Sequence, residues 1–481
     1  MYLPTTRLHN NGTQSRAEQM ERLSGLVDIL IFWRRKMHVS IVQTVPSEII
    51  REVYGYFATP MHLHKPNRFP WFLGQICATW RAIFNSMTSE FWNELGIDLE
   101  MHEFYHDHRP LYLRYDLMQL VLRYLLDRTR GHPFSFQLTT QYHYMKEEDE
   151  VIIRLLESLV AESPRWREVY VDTCRESYLS ILYQAKHRLP LLNTLQLMQL
   201  KTGTEPTDDL FEDAPNLTRV ELGLLANWRV NWGSLRMLRI RGFFGNDEKL
   251  FSVLGQAGRL EKLAISRLLD KTPAPDLILS FPNLKVLTIT GFRLLSVLQA
   301  PLLEELYVKN FNELELNMSH NIVISFLIRS SCRLRRLGMA GCSAASLTDI
   351  LQYTPDLVHL NLDNNDDMAM SFGQLKFYRQ RDRTPPARHL RSLTIIDFGL
   401  SDIEIMELAV LVASRTEGVK ASSGATPVEG LRALSIFISD VPNRYNGRVA
   451  VETLRKLCAE RGVEFTVQLR FDIPYKSIRD W

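Results

Sequence analysis

The chain has 481 residues, a formal net charge of +2 and 45% hydrophobic residues. So small a net charge excludes wholesale attraction to nucleic acid or to an anionic membrane as its organising principle. The longest apolar run, residues 25–33, contains Asp28 and is too short to span a bilayer, and the N-terminus lacks the basic, apolar and small-residue pattern of a leader. Five scattered cysteines (Cys77, Cys174, Cys332, Cys342 and Cys458) have no metal-type spacing, which fits a reducing compartment.

In chain order, residues 1–20 are polar and are expected to be mobile. From Met20 to Met37 the apolar residues Leu23, Leu26, Val27, Leu30 and Ile31 recur at helical intervals and predict a lead-in helix, so residues 1–38 read as a tail and lead-in. Residues 39–100 read as a second segment. There Val45, Ile49, Ile50, Val53 and Phe57 share one helical face, with Pro46 in the first turn, where its missing N–H matters little. An insertion over residues 59–70 contains Pro and His. A second helical pattern then uses Phe72, Leu73, Ile76, Cys77, Trp80, Ile83, Phe84 and Met87, and a short third element carries Phe91, Trp92 and Leu95. Three short helices of this size build only a small core, and such a unit tends to complete its burial with a partner. His102, His106 and His108, with Glu103 and Asp107, place two imidazoles one turn apart. No further ligands accompany them and Pro110 follows, so a solvated helix end or loop is expected, as for His62 and His64.

From Trp166 onward one spelling recurs: an apolar residue, then apolar residues at the fourth and sixth positions. The first positions are Trp166, Leu192, Leu217, Leu235, Leu260, Leu284, Leu303, Leu334, Leu357, Leu390 and Leu431. The repeat averages about 26 residues, within the range of leucine-rich repeats. Because strand side chains alternate, the fourth and sixth positions should face inward and the third, fifth and seventh outward. One such unit cannot bury its apolar side alone, so the repeats should stack their strands into one parallel sheet with the returning segments behind it. Pro164, Pro190, Pro215, Pro282, Pro301 and Pro355 each stand two residues ahead of a first position and should sharpen the corner into the strand. Three residues beyond the sixth position, only Asn365 supplies the amide that the repeat consensus uses to tie adjacent turns. Residues 366–388 and 413–430 interrupt the pattern, and the second stretch is expected to be a mobile loop. The expected class is therefore α/β: a small three-helix N-terminal unit, then a leucine-rich-repeat solenoid with a curved parallel sheet over residues 101–481.

Other stretches resemble one family in order. Val45-Pro46-Ser47-Glu48-Ile49-Ile50-Arg51-Glu52-Val53-Tyr54 resembles the opening of an F-box, Ile76-Cys77-Ala78-Thr79-Trp80-Arg81 its second helix, and Ser89-Glu90-Phe91-Trp92 the tail common in fungal F-box proteins. Residues 124–136 and 155–166, each a helix running into a strand, are also similar to that family. The resemblance spans roughly residues 20–470. Val45 and Ile49 replace the commoner leucines, and the insertion after the first helix is longer than in a minimal box. The resemblance implies an intracellular adaptor, cytoplasmic or nuclear, whose F-box docks onto the SKP-type linker of a cullin ubiquitin ligase while the repeats hold a protein substrate. It implies linker contacts or their support from Pro46, Ile49, Ile50, Val53, Ile76 and Trp80. The alternative is a non-catalytic repeat scaffold whose helices only cap the array.

No Gly-rich phosphate loop, nucleophile elbow or Cys–His signature is present, so no enzyme, cofactor or metal is expected. Freed from packing, the outward positions are where a binding surface should lie. Arg219, Arg239, Arg241 and Lys262 cluster on three successive strands and point to an acidic or phosphorylated protein ligand, since arginine pairs bidentately with carboxylate or phosphate. Tyr307, Lys309, Arg336 and His359 form the next such surface. No nucleic-acid or membrane partner is expected.

Overall fold

The computed structural model describes residues 45–56, 61–63, 74–98, 111–139, 146–172, 174–198, 200–201, 207–225, 227–242, 247–266, 278–309, 316–363, 368–376, 387–397, 400–417, 430–438 and 445–469. The expected lead-in helix, His64, His102, His106, His108 and Asn365 lie outside them. The chain divides into two compact units, residues 1–98 with 107–134, and residues 99–106 with 135–481.

In the first unit, α1 (Ser47–Tyr56) begins after Pro46, whose carbonyl accepts the Ile50 amide at 3.2 Å. β1 (Met61–His62), α2 (Ala78–Asn85), a 3-10 turn (Ser89–Trp92), β2 (Glu94–Asp98) and α3 (Leu111–Arg128) follow. The third helical element stops sooner than its apolar residues suggest. Leu95 belongs to β2, which pairs in parallel with β1, and the Leu63 amide adds a bond to the Gly96 carbonyl at 2.9 Å. The backbone there finds ladder partners that a further helical turn would forgo. Tyr54, Trp80, Phe84, Phe91 and Trp92 pack ring on ring, with centroids between 4.9 and 6.0 Å apart. Their tilted and edge-on geometries suit the ring quadrupoles. From α3, Tyr124 joins this cluster, and the Arg128 guanidinium lies over Trp92 and Tyr124 while donating to the Asn85 carbonyl at the end of α2.

In the second unit the strands lie side by side in chain order: β3 (Phe134–Thr139), β4 (Trp166–Val171), β5 (Thr194–Leu197), β6 (Arg219–Leu224), β7 (Met237–Gly242), β8 (Lys262–Ile265), β9 (Val286–Thr290), β10 (Glu305–Lys309), β11 (Arg336–Ala340), β12 (His359–Asp363), β13 (Ser392–Asp397), β14 (Ala433–Ile438) and β15 (Glu464–Leu469). From β4 onward each pairs in parallel with the next, and equivalent repeat positions face one another: Leu263 with Leu287, Leu287 with Leu306, Leu306 with Leu337, Leu337 with Leu360. Fourth and sixth positions are buried, as at Leu287, Ile289, Leu360 and Leu362, while third, fifth and seventh positions are mostly half-exposed. That is the alternation the spelling predicts. β3 and β15 extend the ladder beyond the repeats read from the sequence.

A tight turn feeds many of the strands. The amides of Leu192, Leu217, Leu284, Leu303 and Leu357 donate to the carbonyls of Leu189, Ala214, Phe281, Ala300 and Thr354, each three residues earlier. Pro190, Pro215, Pro282, Pro301 and Pro355 therefore occupy the second place of a four-residue turn, where a fixed φ is favourable and no N–H is needed. Beyond β9 and β11, Gly291 and Gly341 have φ of 87° and 68°, and their amides donate to Lys309 and Asp363 of the neighbouring strand. A side chain would be strained in that conformation.

The returning segments follow the spacing. Between the first positions Leu217 and Leu235 there is room only for a 3-10 turn, Trp232–Ser234, and between Leu284 and Leu303 only for α7 (Arg293–Val297); earlier helices are α4 (Lys146–Ala161), α5 (Glu176–Leu182) and α6 (Asp247–Gln256). Later returns carry α8 (Leu316–Ser330), α9 (Ala344–Gln352), α10 (Met368–Leu375), α11 (Asp402–Glu417) and α12 (Tyr445–Arg461). Thus the first interruption contains α10. The loop expected over residues 413–430 is corrected at its start, because Ala413–Glu417 continue α11; residues 418–429 lie outside the described residues. Buried Leu408, Leu411 and Val412 hold that last stretch in the helix.

Arginines close several helix ends. Arg188 donates to Ala161 at the end of α4, and Arg329 donates to Leu298 at 2.9 Å and to Leu295 within α7. Arg415 donates to Leu375 at the end of α10 at 2.8 Å and to Ala387 at 2.9 Å. The last carbonyls of a helix lack intrahelical donors and carry the negative end of its dipole, so a guanidinium satisfies both needs. Arg415 is only 1% exposed, and burial lowers its pKa to about 10, which leaves it charged at neutral pH.

Candidate functional site

Two surfaces follow from these elements. The first lies on α1. Its expected single apolar face is divided: Ile50 and Tyr54, one turn apart, point into the aromatic core and are both 0% exposed, whereas Ile49 is 49% exposed. Pro46 is exposed, and Val53 and Ile76 are half-buried. Trp80 is interior, its backbone carbonyl accepting the Tyr54 hydroxyl at 3.4 Å. Burial raises the Tyr54 pKa, so that phenol stays protonated. Ile50 and Trp80 are therefore interior, while Pro46, Ile49, Val53 and Ile76 remain at least partly exposed.

The second surface is the outward side of the strands. Register sets Glu221 of β6 opposite Arg239 of β7. Glu221 also accepts from Arg241 at 2.6 Å and lies 3.7 Å from Arg239, and the side chains of Arg239 and Glu221 are each 15% exposed. The expected cluster of four cations is thus divided. Arg239 and Arg241 share one carboxylate, while Arg219 and Lys262 are exposed and separated by the strand that carries Met237. Next to them the Tyr170 hydroxyl donates to Glu168 at 2.8 Å.

Further along, β10 to β13 bring together Tyr307, Arg336 and His359, with Lys309 at the end of its strand. The Tyr307 ring lies against Gly338, where a Cβ would fall 2.3 Å from it. Burial pushes the Tyr307 phenol up to about 12. Arg336 pairs with Glu305 at 3.2 Å. His359 stands between the strands of Arg336 and Ser392, and its pKa is lowered by burial first and then by Arg336 and Arg391. At the strand entries here, two shallow cavities open. One, of about 280 Å³, is lined by Glu304, Glu305, Arg335, Arg336, Val358, His359 and Arg391. The other, of about 300 Å³, is lined by Arg333, Arg335, Asp356, Val358, His389 and Arg391.

Arg335 and Arg391 were not among the expected site residues because only strand positions were counted as outward. Their signal was available: arginine recurs at the second position of the repeat, as at Arg167, Arg236, Arg335, Arg391 and Arg432. Among the described residues, no group of three or more His, Cys, Asp and Glu side chains is placed to hold a metal, and no helix is long and apolar enough to cross a membrane. Compared with models of known protein families the chain matches none, and no curated protein matches it.

Proposed function

We propose that the chain is a non-catalytic, intracellular substrate adaptor of an SKP–cullin–F-box ubiquitin ligase, resembling fungal F-box proteins with leucine-rich repeats. Its first unit docks onto the linker and its second unit holds the target protein. The observation that carries this reading is Ile49. It is an aliphatic side chain 49% exposed on the short helix whose sequence resembles the F-box opening, with Pro46 and Val53 on the same helix or its entry. A fully buried aliphatic contributes roughly 1.5–3 kcal/mol, so a few such side chains suffice for a specific dock. The second unit reads as a solenoid, curved because strands stack about 4.8 Å apart while helices need about 8–10 Å. Its mechanism is proximity: holding a target beside the ligase's charged ubiquitin carrier raises the effective concentration of the reacting groups.

The test is capture of a purified SKP-type linker by the full chain. Ile49→Asp combined with Val53→Asp should abolish capture and leave the thermal midpoint of unfolding nearly unchanged. Undiminished capture by this variant overturns the docking assignment. A folded wild-type chain that fails to capture any linker supports the plain scaffold instead.

A further inference from the structure

Among the described residues β15 closes the ladder, and no strand pairs with its far side. The Glu464 amide donates to the Arg432 carbonyl at 2.8 Å, so Glu464 and every second residue after it turn their backbone groups to β14. By alternation, the N–H and C=O groups of Phe465 and Val467 point away from the ladder, along the open edge. Their side chains stand on the inward face, across from Leu434 and Ile436. Those two are 0% and 1% exposed, whereas Phe465 and Val467 are only half-buried. The Arg455 guanidinium lies over the Phe465 ring, 6.0 Å from its centroid.

An edge of this kind calls for a strand with apolar alternate residues, which answers the outward backbone groups and the half-covered side chains together. Edges that stay single are blunted by lysine, proline or a bulge. β15 contains neither lysine nor proline, and Glu464 is its one charged residue. The strand is complementary to itself. When two copies run antiparallel about a two-fold axis at Thr466, Phe465 of one stands across from Val467 of the other, and the two exchange N–H···O=C bonds. Both side chains keep to the inward face, so the apolar layers of the two copies become continuous. Thr466 faces Thr466, and Glu464 stands across from position 468, a glutamine, so no like charges meet.

We propose that two copies of this chain join edge to edge through β15, the strands antiparallel about Thr466, so that one sheet runs across the pair. The inference goes beyond the adaptor reading and does not depend on it. Its test is analytical ultracentrifugation of the full chain alone at micromolar concentration. The wild type should sediment with twice the 55.9 kDa of one chain. Val467→Pro removes an outward N–H but no bond to β14, so it should leave the thermal midpoint of unfolding nearly unchanged and weaken dimerisation roughly tenfold or more. Should that variant melt early, Val467→Lys places a charge on the inward side of the edge, at a site that is not fully buried, and should weaken dimerisation as much. Thr466→Cys should form a disulfide between copies on mild oxidation, well beyond any cross-linking of the wild type through its own cysteines. Residues that face each other without mutual hydrogen bonds stand about 4.5 Å apart at Cα, within disulfide range. A monomeric wild type overturns the proposal, as does a dimer indifferent to both Val467 variants. A dimer in which Thr466→Cys forms no cross-link overturns the antiparallel register. No arm uses the linker, so failure here and failure of linker docking are read separately.

Discussion

Ile49 and Ile50 differ by one position, and about 100° of helix rotation turns one into the aromatic core and the other to solvent. Ile50→Ala should therefore cost about 2–5 kcal/mol, whereas Ile49→Ala should leave stability nearly unchanged. Chemical denaturation of the two variants measures this, and equal losses would contradict the assigned helix face. His359 makes a second residue-scale test. Its folded pKa lies below the ordinary 6.5, so the unfolded chain binds that proton more readily. The stability this group contributes is full above about pH 6.5 and is lost as pH falls from there through the folded value. A ring-proton titration by NMR should find the depressed value, and Arg336→Gln should raise it; an unmoved value would contradict the neighbour's influence. The candidate residues were partly legible in the sequence. Spacing marked Arg239, Arg241 and Glu221 alike as outward positions; the register adds that Glu221 stands opposite Arg239 and within reach of Arg241.

At the scale of the element, the repeat spelling specified the inward positions because a strand has only two faces and a one-residue slip would exchange them. Leu287→Ala or Leu360→Ala should cost about 2–5 kcal/mol, against little for Thr288→Ala. Similar denaturant midpoints for the two classes would contradict the register. The arginine caps were not legible, since Arg415 and the Leu375 carbonyl it serves are far apart in sequence and share no pattern. Nor was the end of the third element in the first unit, where pairing between β1 and β2 decided the outcome. The contact of Tyr307 with Gly338 offers a sharper packing test. Gly338→Ala should destabilise by about 1–3 kcal/mol through displacement of the ring, and most of that loss should vanish in a Tyr307→Ala background. Strict additivity in the double-mutant cycle would contradict the contact.

On the scale of the whole molecule, the chain forms two compact units: a small helical one with an exposed aliphatic on its first helix, and a ladder of parallel strands bearing rows of polar side chains. The array was expected to begin at residue 101, whereas residues 107–134, α3 among them, belong to the first unit; the place of α3 was not legible, since its apolar residues would serve either core. Two units also predict that denaturation monitored in each need not coincide. The central claim is that the first unit recruits a ligase while the second is left to hold a target. Analytical ultracentrifugation of the full chain mixed with a purified SKP-type linker and the matching cullin tests it most directly. A single species holding the three chains in equal numbers is predicted for the wild type, lost on replacing Ile49 and Val53 by Asp. A folded wild-type chain sedimenting apart from both partners would contradict the claim.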